Sequence, residues 1–153
     1  MIRILFVCHG NICRSPMAEA IFKSLLEQRG LSDVFQVDSA AVSDEEIGSP
    51  VDGRANAELV RHGLPASGHH AWRLRREDYD RFDYMVGMDS DNVNRMKRLF
   101  GGDPKKKVGL LMGYTERPRE IDDPWYTGRF AHAYEEIEAG CQAFLAELLR
   151  SAR

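Results

Sequence analysis

Cys8, Arg14 and Ser15 lie close together in the stretch Val7-Cys8-His9-Gly10-Asn11-Ile12-Cys13-Arg14-Ser15-Pro16. A thiol and a guanidinium at that spacing suit nucleophilic attack on an oxyanion. The sulfur attacks, while the planar N–H fork of the arginine matches two oxygens of a tetrahedral phosphate or arsenate. Gly10 and Asn11 are the residue types that most readily take positive φ, which turns successive backbone N–H groups inward as an anion nest. Ser15 supplies a hydroxyl that can donate to the sulfur, first as thiolate and later as leaving group. A Walker-type nucleotide loop is excluded, because no Gly-Lys-Ser or Gly-Lys-Thr occurs.

These residues need a scaffold, and the flanking pattern provides one. The β-branched and aromatic run at 2–7 reads as a strand buried on both faces. Pro16 opens a helix with Met17, Ala20, Ile21, Ser24, Leu25 and Gln28 along one stripe, and Gly30 closes it. Cys8 thus sits at the carboxyl end of a strand and before a helix N-terminus, where free N–H groups and the helix dipole stabilise negative charge.

Further along, 34–39 alternates as a second strand, 40–50 reads as a loop carrying Asp44, Glu45 and Glu46, and 52–62 regains helical spacing at Ala55, Leu59 and Val60. The short basic segment 69–76 stays unassigned. A third strand follows at 82–88, then a helix capped by Asp89 or Ser90 with Val93, Met96, Leu99 and Phe100 inward. A fourth strand reads at 108–112, and Lys105-Lys106-Lys107 before it reads as a solvated, edge-protecting charge run. A loop spans 121–126, and a terminal helix at 130–149 places Tyr134, Ile137, Cys141, Phe144, Leu145 and Leu148 on one face. Strands alternating with helices predict a doubly wound α/β sheet, with ligands at the carboxyl ends of its strands.

The 153 residues fit one domain. With 43% hydrophobic and 29% charged residues the composition is that of a globular protein, and a net charge of −3 argues against a dedicated nucleic-acid binder. Three cysteines are too few for a disulfide framework and match no common zinc spacing, which predicts a reducing compartment. The first apolar run is too short for a signal peptide and no run suffices for a membrane span, so a cytoplasmic location is expected.

The segment Cys8-His9-Gly10-Asn11-Ile12-Cys13-Arg14-Ser15 resembles the signature of the low-molecular-weight protein tyrosine phosphatases, and the resemblance extends over essentially the whole chain. The stretch at 38–44, Phe82-Asp83-Tyr84 with Met88-Asp89, and Asp123-Pro124-Trp125-Tyr126 follow in the family's order. The resemblance implies a single domain over 1–153: four parallel strands in the order 2-1-3-4, flanked by helices, with the phosphate loop after the first strand. It implies hydrolysis of phosphotyrosine through a phosphocysteine on Cys8, with His9 to Ser15 binding phosphate and Asp123, the residue before the proline, as general acid and base. Asp122 is the competitor for that role.

The resemblance also places Asn11, Ser15, Ser39 and His69 in a supporting hydrogen-bond network, and Ile12, Glu45, Trp125 and Tyr126 around the substrate. Glu45 and Glu46 fall where animal members carry an aromatic, which suggests neutral or basic neighbours for the phosphotyrosine. Cys13, in the same loop as Cys8, is a candidate partner in a reversible disulfide. The expected partners are phosphotyrosine proteins or peptides and inorganic phosphate, acting on a monomer that needs no cofactor or metal.

Three other readings share these residues. A protein-arginine phosphatase tends to carry threonine where Ile12 stands, an arsenate reductase needs more cysteines than Cys141 supplies, and a silent phosphate-binding module would not need both Cys8 and Asp123.

Overall fold

A computed structural model describes residues 1–64, 66 and 68–151. Its centre is β1 (Ile2–Cys8), in which Ile4, Leu5, Phe6 and Val7 are all fully buried. Successive side chains of a strand point to opposite faces. Ile4 and Phe6 therefore join one core and Leu5 and Val7 another. β1 lies parallel to β2 (Phe35–Ala41) on one side and β3 (Tyr84–Gly87) on the other, and β3 pairs with β4 (Val108–Leu110), giving the order β2-β1-β3-β4.

The first core faces α1 (Arg14–Gln28), α2 (Gly53–Arg61) and α5 (Phe130–Ser151). Its middle is aromatic: Phe144 of α5 lies 5.6 Å from Phe22 of α1 and 6.2 Å from Phe6 of β1, ring centre to ring centre. The second core lies under α3 (Ser90–Phe100), through Met96 and Phe100. Helices on both faces make the sheet doubly wound, as the alternation of elements predicts.

Several local expectations are corrected. The inward stripe of α1 runs through Met17, Ala18, Ile21, Phe22 and Leu26, whereas Gln28 is exposed, so the helix is turned by about one residue from the predicted stripe. Val60 points outward, 61% exposed. The fourth strand ends at Leu110, because Leu111–Tyr114 coils into a 3-10 turn that buries Leu111 and Met112 beneath α5. The segment 121–126 is not all loop: Pro124 opens the short helix α4 (Pro124–Thr127) at the position where its missing N–H costs nothing. The unassigned basic segment runs beside β2, with Ala41 donating to the Trp72 carbonyl and Leu74 donating to that of Ala41.

Candidate active site

The phosphate loop connects the carboxyl end of β1 to the first turn of α1. Asn11 makes the turn possible with a left-handed backbone, φ 59°. Its carbonyl can only accept, so His69 donates to it through Nε2, at 2.8 Å. Its side-chain oxygen accepts from the Trp72 amide at 3.3 Å and its Nδ2 donates to Ser15 Oγ at 2.8 Å. Ser15 Oγ already receives that proton, so its own hydrogen is free for Cys8 Sγ, 2.9 Å away. The Ser15 amide reaches the same sulfur at 3.4 Å. Two donors thus converge on one sulfur.

Arg14 opens α1, whose N-terminus has no side-chain cap and so offers its first N–H groups to an anion. The guanidinium is nearly buried, 2% exposed. Nη1 donates to Asp89 Oδ2 at 2.8 Å and to the Ile121 carbonyl at 2.7 Å, while Nη2 lies 3.6 Å from Asp123 Oδ2. Burial opposes the charge of Arg14, but Cys8, the hydrogen bond to Asp89 and the charge of Asp123 together hold its pKa above the ordinary arginine value. The guanidinium therefore keeps its charge.

Asp123 caps α4, its Oδ1 accepting from the Trp125 amide at 3.0 Å, and its carboxylate lines the same cleft as Cys8. Asp122 is exposed and does not line that cleft. The cleft holds about 150 Å³, and its lining includes the buried Cys8 and Arg14 together with Ile12, Glu45, Glu46, Trp125 and Tyr126. The two aromatic rings meet edge to face at 5.2 Å and remain 49% and 77% exposed.

The structure thus brings together Cys8, His9, Gly10, Ile12, Cys13, Arg14, Glu45, Asp123, Trp125 and Tyr126, with Asn11, Ser15 and His69 bonded behind the loop. Ser39 is a correction. It is fully buried on β2, but its hydroxyl donates to Glu19 Oε1 at 2.6 Å and makes no bond to the loop. The carboxylate of α1 outcompetes the loop's neutral acceptors for that hydrogen.

Cys13 is a free, buried thiol whose pKa is raised, chiefly by burial and then by Asp52, Cys8 and Asp123, so it stays protonated. Among the described residues no group of three His, Cys, Asp or Glu side chains is placed to hold a metal. Two contributors escaped the sequence reading. Asp89, at the exit of β3, reads from the sequence as a helix cap and as part of the family's Met88-Asp89 stretch without a role in the site, and the Ile121 carbonyl carries no sequence signal at all. Position at a strand's carboxyl end is what marks Asp89 out.

The model of the family described as low molecular weight phosphotyrosine protein phosphatase matches residues 3–153. The low molecular weight protein-tyrosine-phosphatase YfkJ of Bacillus subtilis is 37% identical over 97% of this chain and 96% of its own. The human low molecular weight phosphotyrosine protein phosphatase is 41% identical over 93% of this chain and 92% of its own. The crystal structure of YfkJ superposes with a TM-score of 0.96 over 100% of this chain and 98% of its own, at 36% identity. That of a Drosophila arginine phosphatase gives 0.88 over 96% and 98%, at 35% identity. With phosphate loop, cleft and full-length likeness in agreement, the chain belongs to the low-molecular-weight phosphotyrosine protein phosphatase family.

Proposed function

We propose that the protein hydrolyses phosphotyrosine in proteins or peptides through a phosphocysteine on Cys8. The observation that carries this reading is the sulfur of Cys8, held by Ser15 beside the buried Arg14, with the Asp123 carboxylate in the same cleft.

In the first step the Cys8 thiolate forms a bond to phosphorus and the bond to the tyrosine oxygen breaks. The loop amides of 9–15 and the Arg14 guanidinium hold the three remaining oxygens as charge redistributes among them. The departing phenolate, whose conjugate acid has a pKa of about 10, takes a proton from Asp123. In the second step the Asp123 carboxylate takes a proton from water and the water oxygen attacks phosphorus. The P–S bond breaks, its electrons return to sulfur, and inorganic phosphate leaves.

Ser15 suits both steps, since it stabilises the thiolate as nucleophile and again as leaving group. Trp125 and Tyr126 form an apolar wall for the substrate ring, and Ile12 lines the same cleft. The steps draw on side chains and on the backbone amides of the loop. An electron-passing reductase is a poorer reading, because Cys141, fully buried in α5, points its thiol at the Ala18 carbonyl. A reducing, cytoplasmic setting keeps Cys8 reduced, and the cleft is complete in one chain, which suits a monomer.

Turnover of para-nitrophenyl phosphate and of a phosphotyrosine peptide, beside phosphoarginine, tests the assignment. The first two should be hydrolysed, phosphoarginine far more slowly, and Cys8→Ser should abolish turnover while inorganic phosphate still binds. Faster hydrolysis of phosphoarginine would move the substrate, and turnover surviving in Cys8→Ser would remove the mechanism.

A further inference from the structure

We infer that Glu45 selects substrates carrying a lysine or arginine beside the phosphotyrosine, an inference that rests on the phosphatase reading above. Three acids stand in the loop that follows β2, and their partners separate them. Asp44 is neutralised by Arg73, whose Nη1 lies 2.6 Å from its carboxylate. Glu46 accepts from Ser49 Oγ at 3.0 Å, and its methylene stem lies over Gly10, where an added Cβ would meet its Cγ at 3.5 Å. Glu45 is the one of the three whose carboxylate pairs with a side chain of the phosphate loop, with Oε2 3.1 Å from His9 Nε2, beside the residue that carries the nucleophile.

That contact fixes where the carboxylate sits: on the rim of the cleft, within one residue of the sulfur, yet 67% exposed. Its partner carries a charge only when protonated, whereas Asp44 faces a permanent cation. The other charges around the cleft sharpen the point. Among the described residues, Arg14 is the one lysine or arginine in the lining; it is buried and bonded to Asp89. The less buried part of the lining carries Glu45, Glu46 and Asp123. A substrate therefore meets a buried cation that suits phosphate and less buried acids that suit a positive neighbour. A lysine or arginine flanking the phosphotyrosine displaces His9 from Glu45 and pairs with the carboxylate, whereas an aspartate or glutamate meets repulsion.

The test uses three phosphotyrosine peptides that differ only in the residues flanking the tyrosine, Lys, Ala or Glu, together with para-nitrophenyl phosphate on the unchanged protein. The ratio of kcat/KM between peptides, taken within each variant, is the readout. Wild-type protein should prefer Lys over Ala over Glu, more steeply at low ionic strength. Glu45→Gln should lower the Lys-to-Ala ratio by about threefold to fivefold, Glu45→Asp should keep most of it, and Glu45→Lys should reverse the order. A Lys-to-Ala ratio unchanged in Glu45→Gln, or no Lys preference in a wild-type protein that turns over para-nitrophenyl phosphate, overturns the inference and leaves the phosphatase reading standing. Failure of the wild-type protein on para-nitrophenyl phosphate and every peptide overturns both.

Discussion

Ser15 and Asp123 divide the chemistry between nucleophile and leaving group. Ser15 accepts from Asn11 and so directs its own hydrogen at Cys8. Asp123 waits at the edge of the cleft, bonded to the Trp125 amide. Replacing Asp123 by Asn removes the proton that the phenolate needs, so kcat on phosphotyrosine should fall by about 10²- to 10⁴-fold. The loss should be smaller for aryl phosphates with acidic leaving groups, read as a steeper leaving-group dependence in steady-state kinetics. Asp122→Asn should change little, because Asp122 stands outside the cleft; the opposite ranking would give the role to Asp122. At this scale the sequence is most legible where the partners are neighbours along the chain. Cys8, Asn11, Arg14 and Ser15 signal each other through spacing. Ser39 and Glu19 meet only across α1 and β2, and their bond, which takes Ser39 out of the predicted network, leaves no trace in spacing.

The acid of the site depends on how one element is moored to another. Glu120 accepts from the Ser90 amide at 2.7 Å and from the Ser90 hydroxyl, which fastens the segment before Asp123 to the N-terminus of α3. The next residue continues the mooring: the Ile121 amide donates to Met88 and its carbonyl accepts from Arg14. Those hydrogen bonds from Ser90 hold the Glu120 carboxyl below its ordinary pKa. A depressed pKa means the mooring is fully present above the unfolded carboxylate pKa and is lost as acid protonates Glu120. Glu120→Ala should lower kcat more for poor leaving groups than for good ones, as a displaced Asp123 would, and should flatten the low-pH limb of the stability profile followed by thermal melting. Equal loss for all leaving groups would mean a defect in the phosphate loop instead. Element types and order were readable from periodicity, but ends were not. β4 stops at Leu110 and α4 begins at Pro124 because of tertiary burial and a local cap, neither of which periodicity records.

For the whole molecule, the doubly wound parallel sheet and a site at the carboxyl end of β1 follow from the alternation of strands and helices, whereas the strand order β2-β1-β3-β4 is implied by the family resemblance. Close packing between distant parts follows from neither. Gly140 of α5 is such a place, since a Cβ there would lie 2.7 Å from Leu111 Cγ and 2.8 Å from Met112 Sδ. Helix propensity alone would favour alanine by about 1 kcal/mol, whereas overpacking costs about 1–3 kcal/mol. Gly140→Ala should therefore lower the melting temperature with the steady-state kinetics of the remaining folded protein intact, and a stabilised variant would show that the 3-10 turn yields easily. All these parts serve one covalent event. Rapid acid quench during turnover of a phosphotyrosine peptide, followed by mass spectrometry of the fragment containing Cys8, tests it most directly. One added phosphoryl group on Cys8 is expected, accumulating further in Asp123→Asn with an activated aryl phosphate. Turnover with the phosphoryl group found on another residue, or never on Cys8, would contradict it.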